Sequence, residues 1–125
     1  NGIRAFREIE KPENMHFFKN MEPFDFLSLL SQAKVLVGNS SVGIRECSYL
    51  GVPVVNIGSR QHRRLRGNNV TDVPDDKGEI VKAVQRAWSS GRFPKETLYG
   101  DGNAGQNIAD LLADIELTFT KTITY

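Results

Sequence analysis

Apolar positions fall along the 125-residue chain in two rhythms, short continuous runs and stripes of helical spacing, and their order predicts the elements. Met15 to Lys19, with Phe17 and Phe18 adjacent, predicts a short strand that is at least half buried. Pro23 to Ala33 then carries Phe24, Leu27 and Leu30 at helical spacing, with proline in the first turn, where no partner is needed for its missing N–H. Val35-Leu36-Val37 is a β-prone run cut off at Gly38, and continuous rather than alternating hydrophobicity predicts a parallel strand covered on both faces. A helix from Ser41 to Leu50 stops at Gly51, and Val52 to Ile57 makes the next strand. This strand–helix–strand unit has the length of a parallel crossover, and Val70 to Val73 supplies a third strand after a polar, basic loop.

Two further stripes predict helices packed on the core. From Gly78 to Ser90 they use Ile80, Val81, Val84, Ala87 and Trp88, and from Asn103 to Glu116 they use Ala104, Ile108, Leu111, Leu112 and Ile115. The Thr-rich end, residues 117–125, reads as a flexible tail without a role. Together the elements predict one α/β domain over residues 1–125, a Rossmann-like parallel sheet flanked by helices.

Composition narrows the function classes. A chain 39% hydrophobic and 25% charged is globular, and no apolar run approaches the roughly 20 residues of a membrane-spanning helix, so no membrane partner is expected. Sixteen basic against fifteen acidic residues leave +1, so any anion site must be local and nucleic acid is not an expected partner. The single cysteine, Cys47, excludes an internal disulfide and a structural zinc site, and suits a reducing, cytoplasmic setting. The opening Asn1-Gly2-Ile3-Arg4 has no initiator Met and no signal-peptide pattern, and reads as the start of a fragment.

The densest candidate chemistry is Gly38-Asn39-Ser40-Ser41-Val42-Gly43-Ile44-Arg45-Glu46, where a buried strand ends in a small polar turn and a helix begins. Helix-start amides lack intrahelical partners and sit at the positive end of the dipole, so Ser40 and Ser41 can offer amides and hydroxyls to a phosphate without metal or cofactor. The same serines can equally serve only as helix caps. Walker A spacing is present in Gly38 to Gly43, but Ile44-Arg45 replaces the required Lys-Ser/Thr, and the dinucleotide fingerprint also fails. Glu46, in the second turn, can accept two ribose hydroxyls or pair with Arg45 at the surface. Arg60 follows a strand at the same sheet edge and suits a phosphate. The loop from Arg60 to Arg66 holds four arginines, which serve one compact polyanion or solvent better than a nucleic-acid strand, because no aromatics interleave. His62 has no companion ligand and reads as a loop residue, while Phe24 stands either in the core or over a flat base.

Read together, these segments resemble the hydrolysing branch of the UDP-N-acetylglucosamine 2-epimerase family. The resemblance is carried by Pro23-Phe24-Asp25, Gly38 to Glu46, Gly51-Val52-Pro53-Val54-Val55-Asn56-Ile57-Gly58-Ser59-Arg60-Gln61 and Tyr99-Gly100-Asp101-Gly102-Asn103-Ala104. It implies the carboxyl-terminal lobe of a two-lobed, glycosyltransferase-B-type fold, with a UDP-sugar substrate and the amino-terminal lobe of the same protein as partner, in a homo-oligomer. It further implies that Ser40 and Ser41 hold the diphosphate, Glu46 the ribose, Arg60 the diphosphate and sugar, and Glu22-Pro23-Phe24 the uracil. The implied chemistry is proton removal at sugar C2, elimination of UDP to a 2-acetamidoglucal, and addition of water to give N-acetylmannosamine, with no cofactor or metal. The acids and bases, including a histidine, would belong to the amino-terminal lobe; neither His16 nor His62 occupies that histidine's motif. Two alternatives stay open at this point: the donor-binding lobe of a glycosyltransferase, and a non-enzymatic nucleic-acid or protein-binding module using the arginine loop.

Overall fold

The computed structural model describes residues 2–116, so the polar tail over 117–125 lies outside the described residues. Six helices and three strands follow in the order α1 (Gly2–Glu10), α2 (Pro23–Gln32), β1 (Leu36–Gly38), α3 (Ser41–Ile44), α4 (Glu46–Leu50), β2 (Val54–Ile57), β3 (Val70–Val73), α5 (Lys77–Ser90) and α6 (Ala104–Asp114). The strands form one parallel sheet in the order β1-β2-β3, with Leu36 opposite Val54 and Val54 opposite Val70. The architecture is α/β, as the run-and-stripe pattern predicts.

Strand β2 lies in the middle and accounts for the two-sided core. Successive residues of a strand point to opposite faces, so Val54 joins Leu30, Cys47 and Val52 under α2 and α4, while Val55 joins Val73 and Ala83 under α5. Both valines are buried, each such burial being worth about 1.5–3 kcal/mol. Position 43 needs glycine for the same packing: a Cβ there would meet Val54 Cγ1 at 2.8 Å, so the backbone of α3 rests on the Val54 side chain.

Four expectations change in the structure. Met15 to Lys19 is not a strand, since Met15, Phe17 and Phe18 lie exposed without the burial that would favour one. The helix expected over Ser41 to Leu50 is two short helices, broken at Arg45 (φ −98°, ψ −72°), although Arg45 N–H still donates to the Ser41 carbonyl at 3.0 Å. Strand β2 begins at Val54 rather than Val52, because Val52 N–H closes α4 by donating to the Cys47 carbonyl and Pro53 has no N–H to give. The stripes expected to face the core do so only partly: Ala83 is buried and Ile80, Val84 and Ala87 pack with it, whereas Val81 and Trp88 are exposed and α6 buries no residue. Helix α1, to which the pattern analysis assigns no element, presents Ile3, Phe6 and Ile9 to solvent in the same way.

A strap after α5 fastens the helical layer. Arg92 donates to the carbonyls of Leu50 (3.1 Å), Ala33 (3.2 Å) and Ser31, which end α4 and α2. Phe93 N–H reaches the Gly51 carbonyl at 3.0 Å and Glu96 N–H the Ser48 carbonyl at 3.1 Å. Gly51 itself closes α4 at φ +67°, and a Cβ there would strike the Phe93 carbonyl. Replacing Gly51 by alanine therefore adds backbone strain to a clash with main chain, and is expected to lower stability by about 2 kcal/mol or more in urea denaturation. A loss under about 0.5 kcal/mol, the range of an ordinary surface change, would contradict the role given to the strap.

Candidate functional site

The turn between β1 and α3 stands at the carboxyl edge of the sheet, where open parallel sheets gather ligands. Ser40 takes the capping position with an extended backbone, and its Oγ accepts from Val42 N–H at 3.4 Å, so capping is one real use of this serine. The N–H groups of Ser40 and Ser41 find no acceptor among the described residues. Ser40 is exposed and Ser41 half-buried, so both hydroxyls stand at the surface of the turn.

The arginine loop is bound to this turn rather than solvated along its length. Asn39 offers its carbonyl to two side chains at once, Arg60 Nη1 at 3.0 Å and Gln61 Nε2 at 2.8 Å. Arg66 donates to the Gln61 carbonyl (2.5 Å) and the Arg64 carbonyl (3.2 Å) and pairs with Asp72 on β3, whose other oxygen accepts from Asn56 on β2 at 2.6 Å. Two of the four arginines are thus occupied by protein, which leaves Arg63 and Arg64 exposed beside the exposed His62 and no continuous basic stripe. Among the residues that sequence reasoning passed over, Gln61, Asp72 and the Asn39 carbonyl matter most. Their signal was faint, since a glutamine among arginines carries no mark of burial.

Two separate hollows flank this edge. One, of about 450 Å³, is lined by Gly38, Asn39, Gly58, Ser59 and Arg60, with Asp75 as an acidic wall opposite the arginine. The other, of about 490 Å³, lies between α2, α4 and the strap, and Leu27, Glu46, Tyr49, Tyr99 and Gly100 line it. Glu46 Oε1 is 3.7 Å from Arg45, while Oε2 is buried with no hydrogen-bond partner among the described residues. A buried carboxylate oxygen without a donor is costly, and a hydroxyl-bearing ligand would relieve it. Glu22 and Phe24 are exposed at the start of α2, Phe24 at 84%, and Leu27 one turn on carries their helix to the second hollow.

The structure therefore brings Arg60 to the serine turn and gives Glu46 an unpartnered oxygen, but no single hollow is lined by all six candidates, Glu22, Phe24, Ser40, Ser41, Glu46 and Arg60. Tyr99 ties the strap to the arginine loop by donating to the Leu65 carbonyl at 2.5 Å. Asp101 does not cap α6. Its carboxylate accepts from the backbone and side chain of Asn103, which hold it below the ordinary carboxylate range. Among the described residues no group of three His, Cys, Asp or Glu side chains could hold a metal ion, and no helix is long and apolar enough to cross a membrane.

Comparison with known proteins agrees with the motif order. The model of the family described as UDP-N-acetylglucosamine 2-epimerase matches residues 2–113. A UDP-N,N'-diacetylbacillosamine 2-epimerase (hydrolyzing) of Legionella pneumophila is 33% identical over 109 residues, covering 87% of this chain and 29% of its own length. A UDP-N-acetylglucosamine 2-epimerase of Neisseria meningitidis is 40% identical over 78 residues, 62% of this chain and 21% of its own. A GDP/UDP-N,N'-diacetylbacillosamine 2-epimerase (hydrolyzing) of Campylobacter jejuni is 46% identical over 55 residues, 44% of this chain and 14% of its own. The chain thus spans less than a third of the length of these relatives.

One nucleophile near the site can be set aside on physical grounds. Burial pushes the Cys47 thiol from 9.0 up to about 12, the Glu46 carboxylate beside it adds to the rise, and Arg92 opposes it. The thiolate is the reactive form, so native Cys47 is expected to resist alkylation at pH 8 and to react once the chain is unfolded. Because the folded value is raised, the thiol's contribution to stability is complete below pH 9 and is lost as pH rises toward 12. Rapid labelling of the folded chain by iodoacetamide at pH 8 would refute this placement.

Proposed function

The chain belongs to the UDP-N-acetylglucosamine 2-epimerase family, and we propose that it is the UDP-binding, carboxyl-terminal lobe of a hydrolysing 2-epimerase with the two-lobed glycosyltransferase-B architecture. The observation that supports this reading most is the bond of Arg60 to the Asn39 carbonyl, which fixes a guanidinium on the peptide that leads into the serine turn, where the amides of Ser40 and Ser41 and the Ser41 hydroxyl are without a partner among the described residues. Those groups bind the diphosphate. The unpartnered Glu46 Oε2 accepts a ribose hydroxyl, and the exposed Phe24, with the main chain from Glu22, meets the uracil.

In this reading the lobe's part in the reaction is electrostatic. Elimination of UDP builds negative charge on the leaving diphosphate, and fixed donors aimed at that charge favour the transition state over the bound sugar nucleotide. Arg60 contributes a full positive charge and the turn contributes N–H dipoles. The groups that move the C2 proton and add water belong to the amino-terminal lobe, which is the partner of this one, and the products are UDP and the free sugar inverted at C2, N-acetylmannosamine where the substrate carries N-acetylglucosamine. The sugar is N-acetylglucosamine or a diacetylbacillosamine, the two named among the relatives. Exposed apolar stripes on α1 and α6 support a chain that works within a larger body, whether that lobe or a second copy in a homo-oligomer.

Titration of UDP into the 125-residue chain, followed by amide NMR, tests the placement. Ser41→Ala and Glu46→Ala should each weaken binding by about 1.5–3 kcal/mol, the scale of hydrogen bonds to charged groups. Unchanged affinity in both variants would move the site elsewhere. The chain alone is expected to release no N-acetylmannosamine from UDP-N-acetylglucosamine, and measurable turnover would overturn the division of labour between lobes.

A further inference from the structure

We propose that Gln61 is the positioning residue of the anion site, an inference that rests on the reading that a diphosphate lies against Ser40, Ser41 and Arg60. Gln61 is only 2% exposed, although the loop residues beside it, Arg60 and His62, are exposed. Its side chain crosses 22 residues of sequence to donate from Nε2 to the Asn39 carbonyl at 2.8 Å. The amide orientation is dictated by that acceptor, because turning Oε1 toward a carbonyl would set two acceptors against each other.

The backbone of Gln61 is held from behind, while its side-chain Oε1 is buried without a hydrogen-bond partner among the described residues. Its own carbonyl accepts from Arg66 Nη2 at 2.5 Å and from Arg64 N–H at 3.3 Å. Arg66 is paired with Asp72, and Asp72 accepts from the buried Asn56 in the middle strand. A continuous polar chain therefore runs from β2 and β3 through Asp72 and Arg66 to Gln61, and from Gln61 to the turn that follows β1.

The consequence for an anion follows from peptide geometry. The Asn39–Ser40 peptide is planar and trans, so a carbonyl turned toward the loop sends the Ser40 N–H to the opposite side. Gln61 thus keeps an acceptor lone pair from swinging toward bound phosphate oxygens. It also shares the load on the Asn39 carbonyl with Arg60, whose remaining N–H donors stay available. Without the Gln61 donor, the exposed Arg60 alone must both fix that peptide and neutralise the anion.

The test compares UDP with uridine, which lacks the diphosphate, by NMR titration of the isotope-labelled 125-residue chain. Gln61→Met preserves length and removes the donor, and Gln61→Asn keeps a neutral amide but falls one methylene short of the Asn39 carbonyl. Each should weaken UDP binding about tenfold and leave uridine within about twofold of the unsubstituted chain. UDP affinity unchanged within about twofold, or UDP and uridine weakened by the same factor, overturns the inference, since a merely structural role would not single out the diphosphate. Should Gln61→Met lose the dispersed spectrum of a folded protein, Gln61→Asn decides. If the unsubstituted chain holds UDP no more tightly than uridine, the diphosphate reading itself fails and this inference with it.

Discussion

Three strands end at one edge of this sheet, and the carbonyl of Asn39 is where their loops are joined. It accepts from Arg60 and Gln61 together, and through Gln61 it is tied to Arg66, Asp72 and Asn56. Twelve residues connect β2 to β3 without a helix, so this polar lattice does for the crossover what apolar packing does elsewhere in the fold. The location is consistent with the mild overall charge: cationic groups need not be numerous if a few are fixed next to amides that have nowhere else to donate. In the function proposed above, that fixed charge meets the diphosphate of a sugar nucleotide.

Much of this was legible in advance, and the reasons are specific. Continuous apolar runs announce the strands of a parallel sheet. The burial on both faces expected of Val35-Leu36-Val37 is met instead by Val54 and Val55 in the middle strand, because β1 lies at the sheet edge and leaves Val37 exposed. Gly51 marks the end of α4 because the left-handed conformation there excludes a side chain. The turn of Ser40 and Ser41 is visible as small polar residues between a strand and a helix. What sequence hides is partnership. Phe17 and Phe18 look like strand residues, but β1 pairs only with β2 and offers them no ladder. The break at Arg45 comes from tertiary placement of α3 on the sheet, and no breaker residue stands there. Gln61 is invisible for the opposite reason, since the acceptor of its side chain lies 22 residues away and only folding brings the two together.

The stripe of α6 is correct as a periodicity and yet faces outward, as do Ile3, Phe6 and Ile9 of α1. Ile108, Leu111, Leu112 and Ile115 repeat with helical spacing, and all four are exposed. Periodicity reports that a helix has an apolar side; it does not report which body supplies the cover. In a chain that spans less than a third of its relatives' length, such faces are where an expectation of core packing is most easily misdirected. The inner stripe of α5 met its partner in Val55 and Val73, whereas Val81 and Trp88 on the same helix did not.

Gly43 has a mechanical meaning beyond its fit. Having no side chain of its own, Gly43 lets the first turn after Ser41 settle onto the Val54 and Leu36 side chains, close-packed with little play between them. Such seating transmits rather than absorbs. A small shift of the middle strand, whatever its origin, would be passed on to the serine hydroxyls, making the accuracy of that turn a property of the sheet as a whole.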